Sequence, residues 1–184
     1  MKLLKICLAV LALTCAQHAA AQDKINIVKV GGNLLTLLGE GDNETYGGFS
    51  AALEHQLKDK TSLVLGSNFN FKEESVNDGT VSLTARLTVL TFEPEFRWYP
   101  KAATEGFYLG FAPSVYLLKA KISGFVSATA SDTQFGVGLK TGYQFGLSDA
   151  LKFQVGAGFG VILPSDDADA TGQLNFNILV GYQF

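Results

Sequence analysis

From Gly172 to Phe184 the chain alternates apolar and polar residues almost without a break. Side chains of an extended strand point to opposite faces in turn. Leu174, Phe176, Ile178, Val180, Tyr182 and Phe184 therefore share one face, while Gln173, Asn175, Asn177, Gly181 and Gln183 occupy most of the other. The same period of two recurs through the chain, yet beyond its N-terminal segment no stretch offers the 18 consecutive apolar residues of a helical membrane span. A content of 47% hydrophobic residues is high for a chain without such a span. A closed β-wall reconciles the two, because its apolar residues are spread over every second position and never accumulate in a run.

Met1-Lys2-Leu3-Leu4-Lys5 gives a basic start, Ile6 to Leu13 an apolar stretch and Ala19-Ala20-Ala21 a small-residue cleavage site. That order is the signature of a secretory signal peptide and not of a membrane span. Cleavage after Ala21 removes residues 1–21 and leaves 22–184 as one domain. Cys7 and Cys15 depart with the leader, so the exported chain is expected to carry no disulfide. Lys plus Arg falls from 14 to 12 against 17 Asp plus Glu, a net charge of −5. This balance argues against nucleic acid as a partner, since that binding rests on basic patches that neutralise phosphates.

Eight strands are expected, over 25–38 with an interruption at Gly31-Gly32, 45–57, 61–72, 81–98, 106–118, 133–146, 151–161 and 172–184. Connections at 58–60, 100–105 and 147–150 are short, and those at 39–44, 73–79, 119–132 and 164–170 are mostly longer and more polar. Alternating short turns and long loops predict an all-β, eight-stranded, antiparallel, up-and-down transmembrane β-barrel with both termini on the inner side. In the fourth strand the apolar set shifts from odd positions (Leu83, Ala85, Leu87, Val89) to even ones (Phe92, Pro94, Phe96, Trp98). A slip of one residue exchanges the two faces, which predicts either a bulge near Leu90 to Phe92 or an outer section standing above the bilayer. Trp98, Phe107, Phe145, Phe153, Tyr182 and Phe184 fall beside the short turns or the C-terminus, and Phe69, Phe71, Phe135 and Phe159 beside the long loops, as two interfacial girdles would require.

The strand plan, the terminal Gly181-Tyr182-Gln183-Phe184 and the segment Phe92-Glu93-Pro94-Glu95-Phe96-Arg97-Trp98-Tyr99-Pro100 resemble the small eight-stranded outer-membrane barrels, the group that includes OmpX and the membrane domain of OmpA. Within that segment the order Pro-Glu-x-Arg-aromatic-aromatic is similar to one that recurs in outer-membrane barrel domains of Bacteroidetes. The resemblance implies a place in a bacterial outer membrane, with the lipid bilayer and lipopolysaccharide around the wall. It also implies that Phe184 is the signal by which the barrel-assembly machinery recognises the chain for insertion.

Glu93, Glu95 and Arg97 lie on the face opposite Pro94, Phe96 and Trp98 and are expected to point into the lumen together with Tyr99. Lys140 and Lys152, on the sixth and seventh strands, point the same way. Charges at membrane depth must face an interior and find partners there, because Arg or Lys on the lipid face costs roughly 2–4 kcal/mol at mid-depth. These five residues are expected to form a charge network that fills the lumen and fixes strand register. The sharper reading of the same residues is a selectivity constriction or a proton-linked site. An eight-stranded barrel leaves little space beyond what side chains occupy, which favours the plug. Inward rows of glycine at Gly136, Gly138, Gly142, Gly156, Gly158 and Gly160 could admit long charged side chains from across the barrel, allow tight curvature or leave a cavity.

No catalytic, cofactor or metal site emerges from the sequence. Barrel enzymes that acylate or deacylate lipid A would require, by resemblance, a His and a Ser near the outer rim. His18 leaves with the leader, and His55 lies beside an inner turn, where an interfacial role suits it better. Asp166, Asp167 and Asp169 offer oxygen ligands, but without the glycine and terminal glutamate of a dedicated calcium loop. Gly31-Gly32, Gly47-Gly48 and Gly156-x-Gly158-x-Gly160 precede no readable helix and so cradle no phosphate.

The expected protein is an integral outer-membrane barrel with a side-chain-filled lumen, no enzymatic activity and a structural or surface-interaction role exercised through 119–132 and 164–170. The alternative is a narrow pore or small hydrophobic-ligand conduit, since Leu90-Thr91-Phe92-Glu93-Pro94 and the aromatic strand that follows resemble OmpW. A soluble, lipocalin-like calyx would instead bury its apolar strand faces inside.

Overall fold

A computed structural model describes residues 25–39, 43–77, 82–124, 127–164 and 169–184. The expected leader over 1–21, together with Asp166 and Asp167, lies outside the described residues. Eight strands follow one another: β1 (Asn26–Leu38), β2 (Glu44–Lys58), β3 (Thr61–Asn77), β4 (Ser82–Trp98), β5 (Gly106–Ser123), β6 (Ala128–Gly146), β7 (Leu151–Ile162) and β8 (Thr171–Gln183). Each pairs antiparallel with its neighbour in sequence, and β1 closes the barrel against β8 from Ile27 opposite Gln183 to Leu38 opposite Gly172. Closure removes the open strand edges that cannot exist in hydrocarbon.

The wall is inside-out relative to a water-soluble protein. Phe49, Phe96, Phe111, Leu139, Phe176 and Ile178 are 50–67% exposed, whereas Ser50, Glu95, Arg97, Gln154 and Lys152 on the alternate positions are buried. Trp98, Phe107, Phe145, Tyr182 and Phe184 are exposed near the short turns, and Phe69, Phe71, Phe135 and Phe159 near the opposite end, so both aromatic girdles face outward. The inner girdle is a packed surface, with Phe145 stacked at a tilt against both Tyr143 and Phe153 at 4.5 and 6.1 Å between ring centres.

Three local expectations are corrected, and one of the two alternatives for β4 is excluded. The segment 119–132 is mostly strand: Lys119 pairs with Ser131, Ala120 with Ala130 and Lys121 with Thr129. Likewise Glu73 to Asn77 continue β3 in register with Ser82 to Arg86. Both segments look like loops because their outward positions are polar, but alternation persists and only the solvent on the outside changes. Gly31-Gly32 does not interrupt β1, which pairs on both sides through that point. No bulge marks Leu90 to Phe92, where the pairing of β3 with β4 runs unbroken; an irregularity falls instead at Gln56–Lys58 beside the turn into β3.

The register of β4 is continuous, so its face change is a change of surroundings. Val89 is buried with Leu35, Tyr46, Tyr116 and Ile162, and Leu37, Leu87 and Leu118 pack against them. On β4 the inward positions at this level are the apolar Val89 and Leu87, and the outside of β4 and β5 carries Arg86, Lys119 and Lys121, all exposed. That polarity belongs to a wall standing in water, which is the second of the two expected outcomes. At the other end, the turn between β4 and β5 folds under the barrel: Tyr99, Ala103 and Tyr108 form a buried cluster, and the Tyr99 and Ala103 amides donate to the Lys60 and Asp59 carbonyls at 2.8 and 2.7 Å. The reversal there uses positive φ at Thr104 (66°) and Gly106 (88°).

Candidate functional site

The lumen between these two ends is filled by charge. Its centre is Glu54 of β2, fully buried, whose carboxylate accepts from Lys29 Nζ, from Ser62 Oγ and from Tyr99 Oη at 2.7 Å. Arg97 approaches the same carboxylate with Nη1 at 3.7 Å. Arg97 Nε and Nη2 also donate to the two oxygens of Glu95 at 2.7 and 2.8 Å, the bidentate fork that suits a guanidinium. Gln154 Oε1 accepts from Lys29 Nζ at 2.7 Å and from Arg97 Nη1 at 2.8 Å, while its Nε2 donates to Asn177 at 3.1 Å. Gln144 accepts from Lys29 and donates to the Thr104 carbonyl, tying the charge layer to the turn beneath it.

Strand alternation explains how these residues meet. Lys29, Glu54, Glu95, Arg97, Gln144 and Gln154 all take inward positions on β1, β2, β4, β6 and β7, so one horizontal layer draws on most of the wall. The ring of Tyr108 closes it from β5, with the Arg97 guanidinium 4.1 Å above the ring centre. Room for Tyr108 comes from missing side chains: a Cβ on Gly142 would lie 2.6 Å from its hydroxyl, and one on Gly156 would lie 2.5 Å from it. Gly142 and Gly156 therefore admit Tyr108 and Gly136 lies against Tyr116, both tyrosines of β5, where the sequence offers long charged side chains from across the barrel as one of three uses; Gly160 instead meets Gln173 of β8. Gly158 is the partial exception, since Lys140 of the adjacent strand lies against it.

A second pair sits nearer the outer end. Lys140 Nζ donates to Glu93 Oε1, and Ser114 Oγ donates to Glu93 Oε2 at 3.2 Å. On either side of this pair is a cavity of about 20 Å³, each lined by both Glu93 and Lys140 and each large enough for about one water. The outer cavity ends at Leu35 and Tyr116 of the apolar layer.

Four of the five expected lumen residues are thus joined by ion pairs: Glu95 with Arg97, and Glu93 with Lys140. Lys152 is buried as expected but lies apart, at the inner end near Gly146 and Glu105, and among the described residues it makes no ion pair within 4 Å. Sequence reasoning missed Lys29, although a lysine between Val28 and Val30 on an alternating strand is a clear sign of an inward charge. The sequence gives Glu54 no partner, because that partner follows only from the register of β1 against β2. His55 points outward and its Nδ1 lies 2.7 Å from Asn26 Oδ1, at the inner interface.

The charges cancel almost fully within the lumen, with Lys29, Arg97, Lys140 and Lys152 against Glu54, Glu93 and Glu95. Apart from Lys152, each of these groups spends donors or lone pairs on another side chain of the lumen. Comparison with known proteins agrees with this architecture. The family model for the outer membrane protein beta-barrel domain matches residues 6–184. The chain belongs to this family. It is a bacterial outer-membrane β-barrel. Among solved structures, Ail of Yersinia pestis, crystallised in complex with the heparin analogue sucrose octasulfate, is similar at TM-score 0.60 and 14% identity over 89% of this chain and 100% of that one. Neisserial surface protein A is similar at TM-score 0.61 and 8% identity, again over 89% of this chain and 100% of the other. A major outer membrane protein of Thermus thermophilus gives TM-score 0.61 and 11% identity at the same coverage, 89% and 100%. Identities this low speak for shared fold alone. A search of curated protein sequences finds no match.

Proposed function

We propose that this outer-membrane barrel is a sealed, non-conducting and non-enzymatic wall that raises two tall hairpins, β3–β4 and β5–β6, above the cell surface as its interaction element. The observation that carries the reading is the layered lumen. A buried turn, a charge layer around Glu54 and Arg97, the Glu93–Lys140 pair and an apolar layer around Val89 follow one another among the described residues, and the two cavities that flank the Glu93–Lys140 pair are each of about 20 Å³. Supporting it, the two hairpins exceed the other strands in length, with 17 residues in each of β3 and β4, 18 in β5 and 19 in β6 against 12–15 elsewhere. By the rule that inner turns are short, their far ends face the exterior. The surface-interaction role extends to this chain what the name of Ail, an attachment invasion locus protein, says of that barrel. A leader over 1–21 would deliver the chain for export.

Display is tested by single cysteines and a membrane-impermeant maleimide on intact cells. Cysteine at Thr129, in the β5–β6 hairpin, should label, and cysteine at Ser148, in a short turn, should label only after the outer membrane is opened. Labelling of Ser148→Cys but not Thr129→Cys on intact cells would contradict the orientation.

A further inference from the structure

One seam of the wall is unlike the rest. Among the described residues, the other neighbouring strands pair without a gap through the membrane-facing belt, and their one irregularity, at Gln56–Lys58, lies beside a turn. Between β4 and β5 the pairing runs from Thr84 opposite Ser123 to Phe92 opposite Val115, stops, and resumes at Phe96 opposite Phe111. The register on both sides of this gap sets Pro94 directly opposite Pro113. Proline has no N–H to give, so the pair cannot exchange the two ladder bonds that facing residues of an antiparallel sheet share at every second position. The gap covers about 13 Å of strand. It lies between the inner girdle at Trp98 and Phe107 and the outer polar positions at Arg86 and Lys119.

The interior of a sheet ordinarily excludes proline for this reason, and in hydrocarbon no water replaces the lost bonds. Side chains cross the gap instead, and they do so on the lumen side. Ser114 Oγ of β5 donates to Glu93 Oε2 of β4 at 3.2 Å, and Lys140 Nζ of β6 reaches past β5 to Glu93 Oε1. Glu95 of β4, held by the Arg97 fork, lies over Gly110 of β5. On the outer side the facing residues are apolar, Phe92 with Val115 and Phe96 with Phe111, around the two prolines. Lipid tails are as apolar as these side chains, so contact between them brings no solvent-driven gain over contact with lipid. Closure of this seam therefore rests on its lumen side.

We propose that the β4–β5 seam at Pro94 and Pro113 is a parting line in the wall, latched from within by Glu93, Ser114 and Lys140. When the strands separate there, the cavities on either side of the Glu93–Lys140 pair open sideways to the bilayer, while the apolar layer and the buried turn still close the barrel along its axis. The lumen charges thus hold the wall together where its backbone does not. This parting line is independent of which end of the barrel faces the exterior, and it leaves the axial seal intact.

The test is amide hydrogen exchange of the full folded chain in phosphatidylcholine nanodiscs, resolved by residue with NMR. In the wild type the amides of Phe92, Phe96, Phe111 and Val115 should exchange about tenfold faster than those of Val155, Ala157, Phe176 and Ile178 on the β7–β8 seam, the factor that two absent ladder bonds support. Pro94→Ala with Pro113→Ala restores both donors and should bring the seam to the β7–β8 rate. Glu93→Gln with Lys140→Met removes both charges and strands neither, and should speed the seam by about a further tenfold while β7–β8 stays unchanged. Ser114→Ala alone should act in the same direction by about twofold or more, which tests the latch even where the charge variant does not fold. Equal exchange on the two seams in the wild type overturns the proposal, as does a proline-free seam that exchanges as fast as before. Faster exchange throughout the barrel in the latch variants, with no excess at the seam, would make these side chains a general support of the fold and overturn the latch.

Discussion

The carboxyl group of Glu95 lies directly over Gly110 of the neighbouring strand, its Cγ and Cδ each 3.0 Å from where a Cβ on Gly110 would stand. Glu95 cannot swing aside cheaply, because Arg97 holds both of its oxygens. Gly110→Ala should therefore destabilise the barrel by about 1–3 kcal/mol, the usual range for overpacking. Gly32→Ala is the matched control, since its Cβ would meet only the Gly48 carbonyl oxygen at 3.9 Å, on the lipid side. Urea unfolding in lipid vesicles measures both, and equal effects would show that the Glu95 contact is not tight.

Removing the guanidinium of Arg97 leaves Glu95 without its fork and Glu54 without one of its cations. Arg97→Met should cost about 3–5 kcal/mol, the range for a buried ion network broken on one side. Arg97→Lys should fail to restore it fully, because an ammonium cannot form the bidentate pair. Adding Glu95→Leu to Arg97→Met should recover part of the loss by removing the stranded carboxylate. No difference between the single and double variants would contradict the coupling.

Depth along the wall gives a third expectation. Leu139 is 66% exposed at mid-barrel, and Leu139→Arg should cost about 2–4 kcal/mol in bilayers. Thr133→Arg, on the same outward face of the same strand but beyond Phe135, should cost about 0–1 kcal/mol. The comparison needs only folding equilibria of the two variants in identical vesicles, and similar costs would show that β6 does not cross the membrane as described.

Much of this molecule is written in the period of two. The β7–β8 wall, the short turns, the girdles and the inward set Glu93, Glu95 and Arg97 follow directly from alternation, because each residue's face is fixed by its parity. The pairing of Lys29 with Glu54 does not, since it depends on which strands become neighbours and on how far they slide past one another. Length also escaped: Lys119 to Ser123 and Ala128 to Asp132 alternate as well as any strand, but with polar residues outside, which reads as loop when lipid is assumed to surround every strand. Lys152 carries the same lesson in reverse. Its parity placed it inward correctly, yet parity says nothing of height, and it stands at the inner end away from the Glu93 and Glu95 carboxylates.

The sealed lumen is tested most directly by single-channel recording from the purified, folded chain in a planar lipid bilayer. With the Glu54–Arg97 layer, the Glu93–Lys140 pair and the apolar layer all in place, no steady conductance should appear above that of the bare membrane. A stable open channel in the wild type, with an ion selectivity that changes in Arg97→Gln, would show that the lumen conducts and that the charge layer is a filter and not a plug.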